Sequence, residues 1–348
     1  MNEPFPLVDF VSEMAARPGA TDITLCSNGR VGLRQKTKLA VFAAEPLRGL
    51  WRETVESCFP DRPPDHRQAF TRMLVGTNGR RLRATLSCDH DGESIALRVL
   101  PDRIQDPAEL LVPEGLESFF LGLRKGLFLV TGPTGAGKST TVASLLRSRA
   151  LNRGGKIVSI EDPVEIPQEG TERCIILQRE LGTSVLSYEQ GLSEAMLMNP
   201  DVISVQELRD RRAAEAALSA ALSGHLVLAS IQAFGAVSAI QRLITLLGAS
   251  LDDPGLRDSL SFCLEAVVFQ RLVPGFERLV PLFEIMTFRG KEGRLHGMER
   301  LLRLGNWTGL EQELESGSRH GMLTCAESIR QRIDEGLISS ETQGGAHA

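Results

Sequence analysis

The stretch LFLVTGPTGAGKSTT, Leu127–Thr141, decides the fold of this chain. Leu127–Val130 is an unbroken apolar run, the pattern of a strand buried on both faces. It leads into Gly132-Pro133-Thr134-Gly135-Ala136-Gly137-Lys138-Ser139, which fits the G-x-x-x-x-G-K-[ST] pattern. From Ser139 to Ala150 residues recur with helical spacing (Val142, Leu145, Leu146, Arg149) until Gly154-Gly155 stops the run. Strand, glycine loop and helix in that order make a phosphate cradle. The glycines let backbone N–H groups turn inward, and the helix N-terminus adds its dipole. Lys138 is expected to reach the β and γ phosphates, Ser139 to serve Mg²⁺, and Thr140 to lie close to the α phosphate. The expected ligand is ATP with Mg²⁺.

Downstream the alternation continues. Ile157–Ile160, Val202–Val205 and Leu226–Ile231 read as strands; Tyr188–Met198, Arg211–Leu222 and Val237–Leu247 read as helices. This predicts an α/β domain with a parallel sheet flanked by helices. Beyond Asp253 the chain reads as mainly helical, interrupted by a hairpin over Val267–Ile285 that turns at Pro274-Gly275. Upstream, residues 1–100 read as a small α+β domain. A helix over Leu7–Ala16 precedes strands at Asp22–Leu25, Val31–Leu33, Leu82–Leu86 and Ile95–Val99, and Pro60–Pro64 reads as a loop. The prolines of Pro101–Pro107 mark a linker, taken as 101–112. An ATPase domain then fills 113–348, with its helical C-terminal part from about 287. The tail Ser340–Ala348 is polar and expected to fray.

Composition narrows the function. The net charge of −5 leaves no whole-chain basic field for nucleic acid, and no basic stripe with interleaved aromatics supports a DNA translocase. No apolar run reaches the roughly 18–20 residues of a membrane span, so no direct membrane insertion is expected. The N-terminus MNEPFPLVDF lacks a basic segment ahead of an apolar one, so no signal peptide is expected. Cys26, Cys58, Cys88, Cys174, Cys263 and Cys325 form no Cys-x-x-Cys pair. They read as buried reduced thiols rather than a zinc site or disulfide framework.

Hydrolysis requires more than a phosphate loop: water must be positioned and developing charge stabilised. The next two predicted strands both end in carboxylates, Glu161-Asp162-Pro163-Val164-Glu165 and Glu207-Leu208-Arg209-Asp210. Strand C-terminal ends in a parallel sheet converge on the ligand crevice, so both clusters should face the phosphates. Gly224-His225 opens the following strand, and a histidine there reads either as structural or as catalytic.

Taken together, VTGPTGAGKSTT, SIEDPVE, NPDVISVQELRD and SGHLVLASIQA resemble the Walker A, Asp box, Walker B and His box of the secretion and type IV pilus ATPases. They are most similar to the retraction (twitching-motility) subgroup. The N-terminal stretches at Ala20–Leu25, Arg81–Ala84 and Leu97–Pro101 resemble family segments too, as do Gly321–Thr324 and Glu335–Ser339 near the end. The resemblance implies a PAS-like N-terminal domain, a RecA-like P-loop NTPase core and a homohexameric ring. It implies an inner-membrane pilus platform protein as partner, a homologous pilus ATPase as a second one, and a cytoplasmic location at the membrane through the pilus machine. By motif, Glu165 would orient or deprotonate water, Glu207 would serve the Mg²⁺ and water shell, and His225 would join the catalytic set. Arg81, Arg83 and Arg98 would approach the phosphates. The absence of the four-cysteine zinc element favours the retraction side.

Three positions depart from the family pattern, one of them Ser204, which interrupts the apolar strand. Gln206 stands where a glycine precedes the Walker B glutamate, and Gln232 replaces the second His-box histidine. The expected function is an ATP-hydrolysing pilus-retraction motor. The alternative is an ATP-binding accessory or regulatory paralogue with weak hydrolysis that works with a second motor.

Overall fold

A computed structural model describes residues 7–35, 38–60, 62, 69–101, 103–290 and 293–340. Most of the loop expected at Pro60–Pro64, the tail beyond Ser340 and Asp102 of the expected linker lie outside the described residues. The chain divides into two compact units, Met1–Arg103 and Ile104–Ala348.

The smaller unit runs α1 (Leu7–Ala16), β1 (Ala20–Cys26), β2 (Arg30–Gln35), β3 (Lys38–Ala43), α2 (Glu45–Gly49), α3 (Trp51–Cys58), β4 (Phe70–Val75), β5 (Arg81–Asp89) and β6 (Gly92–Val99). Its strands form one antiparallel sheet ordered β3-β2-β1-β6-β5-β4. Alternation sets its two faces. Leu82, Ala84 and Leu86 of β5, with Ile95 and Leu97 of β6, pack into a core with Ile23, Leu25, Leu47 and Val55. The intervening residues, Arg81, Arg83 and Arg98 among them, are therefore left on the other face.

The larger unit runs α4 (Glu114–Gly122), β7 (Gly126–Thr131), α5 (Lys138–Asn152), β8 (Gly155–Glu161), β9 (Cys174–Glu180), α6 (Tyr188–Leu197), β10 (Val202–Val205), α7 (Arg211–Leu222), β11 (Leu226–Ile231), α8 (Ala236–Leu246) and α9 (Pro254–Cys263). It continues through β12 (Leu264–Pro274), β13 (Leu279–Thr287), β14 (Arg289–Gly290), β15 (Gly293–Arg294), α10 (His296–Leu304), α11 (Trp307–Ser316) and α12 (Cys325–Asp334). Seven strands form a sheet ordered β13-β12-β7-β11-β10-β8-β9. Neighbours from β12 to β9 pair in parallel, and β13 closes one edge antiparallel.

The central strands are buried on both sides, and their residues alternate between two cores. Leu127 and Leu129 face one with Ile203, Val205, Val227 and Ala229. Phe128 and Val130 face the other with Leu145, Leu146, Val202 and Leu228. Helix α7 brings alanines (Ala213, Ala214, Ala217, Ala220, Ala221) to the first core, so its backbone lies close to the sheet. Local chemistry fixes the helix starts. Ser187 accepts from Gln190 N at 3.1 Å, Asp210 from Ala213 N at 2.9 Å and Asp253 from Leu256 N at 3.0 Å. Thr324 and Glu327 form a reciprocal capping box at α12.

A buried ion-pair network ties the C-terminal elements to the sheet. Glu265 of β12, whose side chain is 2% exposed, accepts from Arg289 Nε at 2.8 Å and from Arg294 at 2.9 Å. Arg294 also pairs with Glu299 of α10. Among the described residues, no helix is long and apolar enough to cross a membrane. Cys88 departs from the expected burial of the thiols: it is exposed.

Candidate active site

The site begins at the end of β7. Gly132, Gly135 and Gly137 have φ of 151°, 80° and 84°, which L side chains rarely adopt. At Gly132 a Cβ would lie 2.1 Å from the Gln270 carbonyl oxygen, so only glycine fits between loop and β12. At Gly135 nothing lies within 4 Å, which leaves the loop's outer side open.

Gln270 is the main loop contact that sequence reading missed. It lies on β12, 3% exposed. Its Nε2 donates to the Ala136 carbonyl at 2.7 Å, and its Oε1 accepts from Thr141 Oγ1 at 2.7 Å. One side chain thus pins the loop and the first turn of α5. The available signal was a glutamine inside the apolar run Leu264–Val273.

Lys138 Nζ donates to the carbonyls of Gly132 and Pro133 at 2.9 and 3.0 Å. Burial pushes its pKa below the ordinary value, and the Glu207 carboxylate holds it up. The Glu207 carboxylate is held from two sides: Gln232 Nε2 donates to Oε1 at 2.6 Å, and Arg209 Nε donates to Oε2 at 2.8 Å. Arg209 also reaches Asp162 Oδ2 at 3.1 Å, which joins the two acidic clusters.

Gln206 has a definite place. The Asp162 N–H donates to its Oε1 at 2.6 Å, and its Nε2 donates to the Pro163 carbonyl at 3.4 Å. The side chain therefore ties the β10 strand end to the turn after β8. Gln178 and Glu180 of edge strand β9 hold the rest of that turn. Gln178 Nε2 donates to the Ile166 carbonyl at 3.0 Å, and the Val164 N–H donates to Glu180 Oε2 at 2.9 Å. Sequence reading missed this strand, and with it the support for the loop bearing Glu165.

A small cavity of about 30 Å³ opens beside α5, lined by Ser139, Glu161, Glu165, Ser204 and Gln206. Residues 159, 161, 204 and 206 alternate onto the α5 side of their strands, which explains the serine inside the apolar run Val202–Val205. Glu161 Oε1 accepts from Ser159 Oγ at 2.7 Å and from Gln178 Nε2 at 2.9 Å. Burial nevertheless pushes its carboxyl pKa up, and Glu165 and Glu180 add to the rise.

The structure thus brings Lys138, Ser139, Glu165 and Glu207 to one end of the sheet. It does not bring His225 there. His225 precedes β11, whose first residue pairs with Gly126 and whose last, Ile231, pairs with Thr131. Six strand residues, about 20 Å at 3.3 Å each, separate it from the loop's level. Its Nδ1 lies 3.0 Å from Ser223 Oγ and its carbonyl accepts from Gly126 N, a structural placement at the opposite sheet edge. The expectation of a catalytic role for His225 at the phosphates fails on this geometry. In the smaller unit, Arg83 and Arg98 are cross-strand partners, and Arg98 Nε lies 3.3 Å from Asp22 Oδ1.

A parallel sheet, a glycine nest opening helix α5 and carboxylates on the adjoining strand ends define a P-loop ATPase. The model for the type II/IV secretion system protein family matches residues 61–284, and this chain belongs to that family. It is 33% identical over 328 residues to the uncharacterized protein YggR of Escherichia coli K12, covering 93% of this chain and 98% of that one. It is 32% identical to the type IV pilus ATPase PilU of Pseudomonas aeruginosa, covering 90% and 79%. The crystal structure of the pilus retraction motor PilT with bound ADP superposes with a TM-score of 0.80 at 26% identity, over 98% of this chain and 96% of that one.

Proposed function

We propose that this chain is a motor ATPase of a type IV pilus system, coupling ATP hydrolysis in a homohexameric ring to pilus retraction. The observation that carries the reading is the gathering of the phosphate loop and of Glu165 and Glu207 at the C-terminal ends of neighbouring parallel strands, with Glu165 and Ser139 lining one cavity. On this reading residues Gly132–Thr140 wrap the phosphates through backbone N–H groups, and Lys138 exchanges its two carbonyl contacts for phosphate oxygens. The Ser139 hydroxyl and the Glu207 carboxylate are oxygen donors of the kind Mg²⁺ takes and would hold it. When bound, Mg²⁺ supplies charge neutralisation at the phosphates. Glu165 positions or deprotonates water beside Ser139. His225 is left out of the catalytic set.

On the same reading residues 1–100 are a PAS-like domain and 113–348 a RecA-like domain, joined by the linker 101–112. Arg81, Arg83 and Arg98 share the sheet face away from the smaller unit's core, and guanidinium forks suit phosphate oxygens. A location on the cytoplasmic side of the inner membrane, with a pilus platform protein and a homologous pilus ATPase as partners, completes the reading.

The test is ATP turnover by the purified full chain, with Lys138→Ala and Glu207→Gln each abolishing it, and unretracted pili in cells carrying either variant. Turnover unchanged by both substitutions would overturn the assignment. Turnover that arises only when a homologous motor is added would replace the motor by an accessory subunit.

A further inference from the structure

At the N-terminal edge of the large sheet, opposite the phosphate loop, lies a cavity of about 620 Å³. Four arginines line it: Arg124, Arg149, Arg153 and Arg173. His225 also lines it, and Asp201 is its single carboxylate. One Asp201 oxygen accepts from the Lys156 N–H at 2.7 Å. Among the described residues, the guanidinium groups of Arg124, Arg153 and Arg173 have no ion pair or hydrogen bond.

Helix C-terminal ends account for part of this charge. Helices α5, α6 and α7 all end here, and cations are favoured at such ends. Arg149 is engaged at the end of a fourth helix, α4: its Nη1 donates to the Phe120 and Leu123 carbonyls at 3.2 and 3.1 Å. It is 4% exposed, yet its Nε, also buried, has no partner. The Arg153 guanidinium stands close enough to push Arg149 below its ordinary pKa, in addition to the larger effect of burial. Arginines that repel one another gather in one concavity of a chain whose net charge is −5. Such an arrangement is stabilised by an anion.

We infer that this cavity is a second binding site, distinct from the ATPase centre, for a compound bearing two or more linked phosphates. Its volume falls in the roughly 300–1,000 Å³ range of small-molecule sites rather than that of a flat protein contact. Guanidinium forks match phosphate oxygens in pairs, and three forks spread around one cavity call for more oxygens than a single phosphate offers without sharing them. No Phe, Tyr or Trp lines the cavity to stack on a base, and the His225 ring is held at Nδ1, 3.0 Å from Ser223 Oγ, so the site reads the phosphates rather than a nucleobase.

The test is calorimetric titration of the full chain with inorganic pyrophosphate in magnesium-free buffer. The expected result is two equivalents per chain, one at each end of the sheet. Lys138→Ala is expected to keep one of them. Arg153→Ala/Arg173→Ala is expected to weaken that one at least tenfold, leaving ATP turnover and ring size without pyrophosphate unchanged. Both arginines are exposed, so this variant is expected to fold. ADP in place of pyrophosphate then shows whether a nucleotide or an inorganic source fills the site. A single equivalent that is lost in Lys138→Ala would overturn the inference. So would orthophosphate binding as tightly as pyrophosphate, or an altered ring size in the double variant without ligand, which would make the face a subunit contact.

Discussion

Gln270 shows how much one buried side chain can set. It satisfies the Ala136 carbonyl and the Thr141 hydroxyl across separations of 134 and 129 residues. Gln270→Ala leaves both without their partner, at a cost of about 1–3 kcal/mol for each buried group. The expected outcome is a lower melting temperature and weaker ATP binding, read by thermal unfolding and by KM for ATP. Glu161 makes a prediction of opposite sign. Burial raises its folded pKa, so the folded state holds a proton that the unfolded state has released. Stability from this group is full below the ordinary carboxyl pKa and falls as pH rises through the raised folded value. Glu161→Gln keeps an acceptor for Ser159 and Gln178 without the buried charge. Its melting temperature is expected to exceed that of the parent chain at pH 8, with the gap closing as pH falls towards 4. A gap independent of pH would count against a buried ionised carboxylate there.

Elements differ in how clearly the chain announces them. Val202–Val205, Arg211–Leu222 and Leu226–Ile231 are legible to the residue, because strands buried on both faces are continuously apolar and an alanine-rich helix between turn residues has no competing pattern. Strand β9 is hidden. Among the described strands it pairs with β8 alone, its short apolar run Cys174–Leu177 leaves Ile175 and Leu177 exposed, and it ends in Gln-Arg-Glu. Strand β3 is almost wholly exposed and gives no core signal either. The site divides in the same way. Lys138, Ser139 and Glu207 are legible as positions because a local motif picks them out. Gln270, Gln178 and Glu180 act through contacts between distant segments, which no local pattern records. His225 is misread because the motif outweighed its place: it opens a parallel strand, and strand starts lie at the end of the sheet opposite the ligand crevice. At this scale the Glu265 network is the point to perturb. Arg294→Met leaves a carboxylate that is 2% exposed with Arg289 as its remaining ion-pair partner. Removing one member of such a pair costs about 3–5 kcal/mol. Urea unfolding is expected to show a lower midpoint of that size.

Across the whole molecule, two units carry separate cores: Met1–Arg103 around Ile23, Leu33 and Leu97, and Ile104–Ala348 around both faces of the seven-stranded sheet. Separate cores predict separate unfolding events. Scanning calorimetry is expected to resolve two transitions. ADP at 100 times its Kd is expected to stabilise the larger unit, which holds Lys138, by about 2.7 kcal/mol. One transition responding as a block would show that the units unfold together.

The clasp on Glu207 has a bearing on acid tolerance. One carboxylate oxygen is met by the Gln232 amide and the other by the Arg209 guanidinium. Neither donor changes charge between pH 6 and 8. The clasp therefore keeps the same strength as its surroundings acidify, and the pH–rate curve is expected to show no inflection from it. Gln232→His would install a proton-dependent grip and an inflection near the ordinary histidine value of about 6.5. A single side chain thus separates a motor indifferent to proton concentration from one throttled by it.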